Sequence, residues 1–353
     1  MNTNLSRRSF LFRSAGIGGA ALLAPSLLAA CGDAGSSSTS TPGAGLVRTQ
    51  LAWVKNVEFA GMWVAEDKNY FADEKVNVEW FAGGPNAPTA ESVVAGGTAT
   101  VGMTTFFDQL IDGITADNSL VMFGTQFQDS PLALISAAKA PIRTPQDLTG
   151  KRIGGQTGNE RYIDAIFTVN GLKPDYTFVP IGFDPQPLIE GAVDAMFGFN
   201  TNQTLILREQ GFDDVTVLTS EFGLPAYANV LFAKRSYIDE NFDLLVSYMR
   251  AMARGWQVSI EQPDLGAELA VNDFGADLGL SLDQQKQENR IQQELMQSDL
   301  TRQSGLFRMS ADFIEDKVYP WLTASGRTNL PDLSVSFDDS ILAAVYANGP
   351  VVR

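Results

Sequence analysis

Aromatic and amide side chains gather just after the first predicted strand, and their chemistry suits a flat organic ligand. Trp53 offers a large ring face, and stacking on such a face is geometrically demanding. Asn56 offers one acceptor and two donors, enough to read an amide or a pyrimidine edge. We favour ligand contact over a purely structural role for Trp53 and Asn56. Phe59 suits the core equally well, and Glu58 is more simply a solvated acid of the loop.

Further candidates follow other predicted strands. Gly84 could bring backbone N–H groups close to a ligand because it has no Cβ, although a simple turn explains it equally well. Thr104 and Thr105 follow a buried strand and could offer hydroxyl contacts or cap a helix. Gln126 and Gln128 bracket a phenylalanine beyond another strand and could read the polar edge of a ring.

The second half of the chain offers a helix start as a second wall. Thr157 and Asn159 precede a predicted helix, whose unpaired N–H groups and positive dipole end suit oxygen atoms or anions. Tyr162 lies one turn into that helix and could stack, although capping alone would explain Thr157 or Asn159. The remaining candidates lie where a strand meets a helix or at a presumed crossing strand: Phe199, Asn200, Asn202 and Tyr227.

The elements that must position these residues repeat as strand, loop and helix, with the candidate loops at one end. This repeat predicts an α/β fold with open, doubly wound sheets, whose ligands sit beyond the carboxyl ends of the strands. The chain leaves the first unit near Ala133 and returns near Tyr227, and the remainder is predicted to be helical. A length of 353 residues suits about two lobes.

Composition excludes several kinds of chemistry. The chain carries a net charge of −16, which argues against a nucleic-acid partner. It has no histidine and one cysteine, which excludes Ser-His-Asp and Cys-His catalysis, histidine-ligated metals and intrachain disulfides. Catalysis by carboxylates or lysine stays formally open, since Asp108, Asp129 and Glu160 fall near cleft loops, but no spacing requires them to pair.

The first 46 residues are predicted to be an export and tethering segment. Residues 1–30 combine Arg7-Arg8 with an apolar run too short and interrupted to span a membrane, and they resemble a twin-arginine signal peptide. Cys31 ends the run in a pattern that resembles a lipobox, so we expect its thiol to be lipidated; a general secretion signal with a chance cysteine is the alternative. Residues 31–46 then form a flexible linker.

Four segments in the same order resemble the solute-binding proteins of ABC importers, in particular the NMT1/THI5-like group. They are residues 56–71, 94–102, 147–154 and 190–198. The resemblance implies a type II periplasmic binding fold with two lobes, two crossing strands as a hinge and a helical C-terminal part. Residues 47–133 and 228–353 would form the first lobe and residues 134–227 the second. The eukaryotic enzymes of the group consume an active-site histidine, which this chain lacks.

Together with the predicted lipidation of Cys31 and the absence of histidine, the resemblance implies a monomeric binding protein, without catalysis, cofactor or metal, that is anchored at the outer face of the cell membrane and serves an ABC permease. Aromatic and amide side chains favour a flat, neutral heterocycle over nitrate or a sulfonate, which would favour basic residues. The aromatic content of the first lobe favours riboflavin over a hydroxymethyl- or formylamino-pyrimidine. A sensor lipoprotein that uses the same cleft is the alternative from another class.

Overall fold

The computed structural model describes residues 43–352. The predicted signal peptide, the lipidation site Cys31 and nearly all of the predicted linker lie outside the described residues. No helix of residues 43–352 combines the length and apolar character needed to cross a membrane.

Within residues 43–352, ten strands form two five-stranded sheets. In chain order they are β1 Gly45–Gln50, β2 Val76–Phe81, β3 Val101–Thr104, β4 Leu120–Phe127, β5 Leu132–Ala137, β6 Lys151–Gly155, β7 Tyr176–Pro180, β8 Ala195–Phe199, β9 Asp214–Leu218 and β10 Ala228–Lys234. The first sheet has the order β2-β1-β3-β10-β4 and the second the order β7-β6-β8-β5-β9. We call the parts built on these sheets the first lobe and the second lobe.

Helices cover the sheets and make up most of the chain after β10. They are α1 Ala60–Asp67, α2 Tyr70–Asp73, α3 Ala90–Ala95, α4 Phe107–Ala116, α5 Glu160–Val169, α6 Gln186–Ile189, α7 Gln203–Glu209, α8 Arg235–Glu240, α9 Phe242–Glu261, α10 Pro263–Leu269, α11 Leu282–Leu295, α12 Asp299–Ser304, α13 Ala311–Phe313, α14 Tyr319–Ala324, α15 Leu333–Ser336 and α16 Ser340–Val345. Short 3-10 helices span Val57–Phe59, Pro145–Leu148 and Thr219–Phe222, and π-helical turns span Ala270–Phe274 and Ile314–Val318.

Each sheet combines parallel strands with one reversed strand. β1 pairs in parallel with β2 and β3, whereas β10 runs antiparallel between β3 and β4. In the second sheet β6 pairs in parallel with β7 and β8, and β5 runs antiparallel between β8 and β9. The reversed strand of each sheet is the first that the chain makes after crossing from the other sheet. The two crossings therefore lie between β4 and β5 and between β9 and β10.

The hydrophobic cores lie on both faces of the sheets. One core packs α1, α9 and α16 against the first sheet and contains Trp63 and Trp256, both fully buried. A second core includes residues of α4 and α5 and therefore joins the lobes, and a third covers the other face of the second sheet. α1 and α9 approach closely at two glycines, since a Cβ on Gly255 would lie 2.0 Å from the Gly61 carbonyl oxygen.

The predicted architecture of two α/β lobes with doubly wound sheets and a helical C-terminal part is confirmed. The lobe boundaries given above remain predictions. The sequence did not indicate β7, whose residues follow one proline and end at another, nor the helix α10 directly after α9.

Candidate functional site

A cavity of about 300 Å³ lies where the loops at the ends of the strands of both sheets meet. From the first lobe it is lined by residues that follow β1, β2 and β3, and from the second lobe by residues that follow β6, β7 and β8. Ligand pockets in proteins start at about this volume and usually combine apolar walls with a few placed polar groups. This cavity is therefore the candidate binding site.

The aromatic walls of the cavity come from both lobes. Trp53 lies edge-on to Phe183, which follows β7, with ring centroids 5.1 Å apart and planes at 60°. Phe106, which precedes α4, lies 6.1 Å from Phe199 at the end of β8. Phe127 at the end of β4 also lines the cavity. The rings of the two lobes touch one another at the cavity wall, so both lobes contribute aromatic surface to the cavity.

The loop after β1 is held rigidly by hydrogen bonds. Asn56 caps the short 3-10 helix, and its Oδ1 accepts from the Glu58 backbone N–H at 3.1 Å. The Asn56 carbonyl accepts from the Trp63 indole N–H at 2.8 Å. Gly83 fits beside this loop only because it has no side chain, since a Cβ there would lie 2.5 Å from the Leu51 carbonyl oxygen. These contacts fix Trp53 and Asn56 at the cavity wall.

Helix α11 presents an unusual polar face towards this loop. The face consists of residues that are all buried: Gln285, Glu288, Asn289, Gln292 and Gln293. Gln285 accepts from the Val57 N–H at 2.8 Å, and Gln292 donates to the Val57 carbonyl at 2.7 Å. Buried amides are costly unless they are paired. Gln285 and Gln292 pair with the loop backbone, so α11 fixes the loop and also contributes Glu288 and Gln292 to the cavity.

Glu58 and Glu288 line the cavity, and neither has a basic partner in the described part of the chain. Burial raises the pKa of Glu58 to about 7, although the hydrogen bond from Asn229 opposes this shift. Burial, and then the charge of Glu58, raise the pKa of Glu288 to about 8, opposed by the hydrogen bond from Gln285. Among the described residues no lysine or arginine lines the cavity. Its electrostatics therefore disfavour an anion.

Seven of the predicted site residues line the cavity: Trp53, Asn56, Gly84, Thr104, Thr105, Phe199 and Asn202. Their contact with a ligand remains a prediction. The structure brings them together from the ends of β1, β2, β3 and β8, as expected for loops at the carboxyl ends of strands.

Three predicted aromatic residues do not line the cavity. Phe59 is fully buried and packs edge-on against Trp63 in the core, because the 3-10 turn directs it away from the cleft. Tyr227 is 3% exposed, and its hydroxyl accepts from the Ser310 N–H at 3.0 Å. Tyr162 is also 3% exposed and donates to Asp108 at 2.7 Å, so its ring is part of the packing between lobes.

The predicted glutamines support the site from behind. Gln126 is 1% exposed and donates to the Glu58 carbonyl at 2.7 Å. Gln128 donates to the Arg308 carbonyl and accepts from the Ser298 hydroxyl, each at 2.8 Å. Neither glutamine lines the cavity, because each amide is used to tie loops together.

The predicted helix start of the second lobe lies beside the cavity. Asn159 accepts from the Gln156 N–H at 2.9 Å and borders a separate space of about 20 Å³, little more than a water molecule needs. Thr157 is exposed, and Asn200 uses its backbone N–H to bond Pro131. Thr157, Asn159 and Asn200 do not line the main cavity, whereas Gln156 does.

Sequence reasoning missed several lining residues. Phe183 lies in a segment without regular structure, Asn229 lies near the start of β10, and Glu288 and Gln292 lie on a helix far along the chain. Glu58 was set aside as a solvated acid. The sequence does contain a signal in α11, because polar residues recur at helical spacing: Gln285, Glu288, Asn289 and Gln292. From the sequence alone, however, such a polar stripe is assigned to the solvent-exposed face of a helix.

An ionic cluster joins the lobes next to the cavity. The carboxylate of Asp108 in α4 is 2% exposed and accepts from Arg161 Nε of α5 at 2.8 Å. It also accepts from Arg327 at 2.9 Å, and Arg327 binds Asp112 as well. Arg161 is thus fully engaged and is not directed at the cavity. No group of three potential metal ligands of the kind His, Cys, Asp or Glu occurs within residues 43–352.

The fold and the cleft define a two-lobed binding-protein architecture. The model of the family described as "NMT1/THI5 like" matches residues 56–265, and the chain belongs to this family. It is 26% identical over 289 residues to the riboflavin-binding protein RibY of Chloroflexus aurantiacus, covering 80% of this chain and 82% of that protein.

Two further proteins are similar. The formylaminopyrimidine-binding protein of Halalkalibacterium halodurans is 25% identical over 227 residues, covering 62% of this chain and 67% of that protein. The periplasmic aliphatic sulphonate-binding protein SsuA of Escherichia coli superposes with a TM-score of 0.63 at 14% identity, over 84% of this chain and 92% of that one. At this identity the likeness concerns the fold, and it confirms the periplasmic binding architecture.

Proposed function

We propose that this protein is an exported, lipid-anchored solute-binding protein that captures riboflavin and delivers it, as a monomer, to an ABC permease. The observation that carries the proposal is the cavity between the lobes, where Trp53 and Phe183 bring ring edges from opposite sides. Stacked and edge-on ring contacts favour a planar aromatic guest. Capture needs no chemical change, because the closed state is stabilised by the differential affinity of the ligand for it.

The polar groups support a neutral ligand with many hydrogen-bonding edges. The cavity combines amides of Asn56 and Asn202 with the hydroxyls of Thr104 and Thr105. An amide both donates and accepts, so such a lining suits alternating carbonyl and N–H groups. A sulfonate or nitrate is disfavoured, because Glu58 and Glu288 would repel it and no lysine or arginine within residues 43–352 lines this space.

The choice of riboflavin is also supported by the relative RibY, which matches over most of both chains. The second candidate is a thiamine pyrimidine precursor. It is supported by the formylaminopyrimidine-binding relative and by the modest cavity volume of about 300 Å³. Export and anchoring are supported by Arg7-Arg8 and by Cys31 at the end of the apolar run.

The proposal is tested by mass spectrometry of the ligand released from the native protein and by titration of the purified protein with candidate ligands. We expect the purified chain to quench riboflavin fluorescence on titration and to release riboflavin on denaturation. If 4-amino-5-hydroxymethyl-2-methylpyrimidine or its formylamino relative raises the melting temperature of the protein and riboflavin does not, capture of a pyrimidine precursor replaces capture of riboflavin as the proposed function. Turnover of either compound would contradict a binding role. Lipid anchoring is tested separately by membrane fractionation of wild type and Cys31→Ala.

A further inference from the structure

Two carboxyl groups meet at the cavity from parts of the chain far apart in sequence. Glu58 belongs to the loop after β1, and Glu288 lies on the inward face of α11. Each is held through one oxygen: Glu58 Oε1 accepts from Asn229 Nδ2 at 2.8 Å, and Glu288 Oε2 accepts from Gln285 Nε2 at 2.9 Å. These bonds leave the second oxygen of each carboxyl group for a ligand.

An unused acceptor lies beside them. Asn229 is 0% exposed and lines the cavity, and its Oδ1 has no hydrogen-bond partner among residues 43–352. A buried amide oxygen without a partner is costly, and native proteins rarely leave one without a compensating group. A donor N–H or O–H of a bound molecule would satisfy it. The unpartnered oxygen of Asn229 is thus a second observation that points to a ligand.

The charges around the pair do not neutralise it. Lys286 and Arg290 of α11 bind Asp264 of α10, and Lys286 also binds Glu268. Burial raises the pKa of Glu66, and the hydrogen bond from the Trp80 indole and then the charge of Lys55 oppose this shift. Arg208 of α7 binds Asp214. Asp273 and Glu209 are exposed. Since no cation within residues 43–352 neutralises the pair, protonation or a ligand rich in donors would stabilise it.

We propose that Glu58, Glu288 and Asn229 form a subsite that selects ligands carrying a ring N–H or amino donor beside a ring acceptor, and that loss of protons from the acid pair at alkaline pH weakens capture. The subsite rests on the function proposed above and names the edge of the ligand that is read. A protonated carboxyl donates to the ring acceptor, while the other carboxyl and Asn229 Oδ1 accept from the donors. The raised pKa values of both acids are consistent with at least one of the two carboxyl groups being protonated near neutral pH.

The chemistry of both candidate ligands fits this edge. The isoalloxazine ring of riboflavin places N3–H between two carbonyl oxygens, and an aminopyrimidine places an amino group beside a ring nitrogen. A fully ionised pair has no proton to donate and repels the ring acceptor. The affinity should therefore be steady on the acidic side and fall once both acids are ionised.

The experiment measures dissociation constants by titration calorimetry at pH 6 and pH 9. The probes are riboflavin, N3-methylriboflavin and 4-amino-5-hydroxymethyl-2-methylpyrimidine. The proteins are the wild type, Glu58→Gln, Glu288→Gln and the matched control Glu66→Gln, a half-buried acid that bonds Trp80 outside the cavity. Glutamine keeps the shape, donates and accepts, but cannot ionise.

We expect the wild type and Glu66→Gln to lose about tenfold in riboflavin affinity between pH 6 and pH 9. Each cavity variant should lose less than about threefold, and N3-methylation should weaken binding at pH 6 by about tenfold or more, since it removes the donor. If a variant does not fold by circular dichroism, the wild-type pH profile and the methylated probe still decide.

The outcomes separate the subsite from the function. Riboflavin binding that ignores both pH and N3-methylation overturns the subsite and leaves the riboflavin function intact. Binding of the aminopyrimidine alone, with the pH dependence removed in the cavity variants, supports the subsite and overturns the riboflavin function. If none of the probes binds, both fall. An equal flattening by Glu66→Gln would show a general charge effect and would also overturn the subsite.

Discussion

The indole of Trp53 and the phenyl ring of Phe183 meet edge to face with centroids 5.1 Å apart, although one follows β1 in the first lobe and the other follows β7 in the second. Both rings line the cavity. The contact therefore connects the lobes at the point where a ligand would lie, so loss of either ring should affect capture more than stability.

Trp53→Ala should weaken ligand binding by about tenfold or more, because a stacking or edge contact with an aromatic guest is lost. Trp53→Phe should retain most of the affinity. Fluorescence titration with riboflavin and with the aminopyrimidine measures both variants. Trp80→Phe, a substitution outside the cavity, is the control for general effects on folding. Unchanged affinity in Trp53→Ala would contradict a role for this ring at the site.

Asp108→Asn should destabilise the protein by about 3 kcal/mol, because removal of the buried charge leaves Arg161 and Arg327 without their shared partner. We place the loss at the lower end of the range because the Arg161 side chain is 38% exposed. Urea unfolding measures it, and small-angle scattering should show more open lobes.

The matched control for this prediction is Glu79→Gln, which removes an ion pair with Arg48 whose side chains are 43% and 47% exposed. It should cost less than about 1 kcal/mol, because water screens an exposed pair. Equal losses of unfolding free energy in Asp108→Asn and Glu79→Gln would mean that the buried ion pairs between the lobes stabilise the protein no more than an exposed pair does.

Stability should decrease with pH because of Glu58 and Glu288. Both pKa values are raised in the folded state, to about 7 and about 8, so the folded protein holds protons that the unfolded chain has released. The stabilisation is complete below about pH 4.5 and is lost as pH rises through 7 to 8. The double variant Glu58→Gln/Glu288→Gln should lack this part of the decrease.

We expect the difference in unfolding free energy between the double variant and the wild type to grow by about 2 kcal/mol from pH 5 to pH 9. This value lies below the limit for two fully buried acids, because Glu58 is partly exposed to the cavity. Chemical denaturation without ligand at a series of pH values measures it. Parallel pH profiles of the two proteins would show that the acids are not perturbed.

Gly255→Ala should destabilise the protein by about 2 kcal/mol or more, despite the better helix propensity of alanine. The added Cβ would lie 2.0 Å from the Gly61 carbonyl oxygen, a backbone atom that cannot turn aside. Thermal unfolding measures the loss. Gly182→Ala is the control, because nothing lies within 4 Å of its added Cβ, and it should change stability by less than about 0.5 kcal/mol. Wild-type stability in Gly255→Ala would mean that α1 and α9 can separate at little cost.

Sequence patterns predicted the alternating architecture because each strand and helix carries its own periodicity. The remainder of the chain after Tyr227, which was predicted to be helical, contains α8 to α16 once β10 has ended. β7 was missed because it is a short edge strand without a buried residue, bounded by prolines that read as loop. Local patterns describe such half-exposed edge strands poorly.

The site was predicted in part, for a physical reason. Trp53 and Asn56 line the cavity, as the rule that ligands lie beyond the ends of parallel strands led us to expect, and this rule needs no tertiary information. Phe59, which suited the core and the cleft equally well, lies in the core because a turn of 3-10 helix decides which way its side chain points. Glu288 was missed because a polar helical face reads as solvent-exposed unless another part of the chain covers it, and here the loop after β1 does.

The reversed strand β10 has a consequence for the order of assembly. It lies between β3 and β4, yet its residues are synthesised about a hundred positions later, after every strand of the second sheet. The second lobe is continuous along the chain and can complete its sheet as soon as β9 has emerged. The first sheet stays incomplete between β3 and β4 until the second lobe has been synthesised and β10 follows it. Insertion of β10 therefore makes the strand pairing with the largest sequence separation.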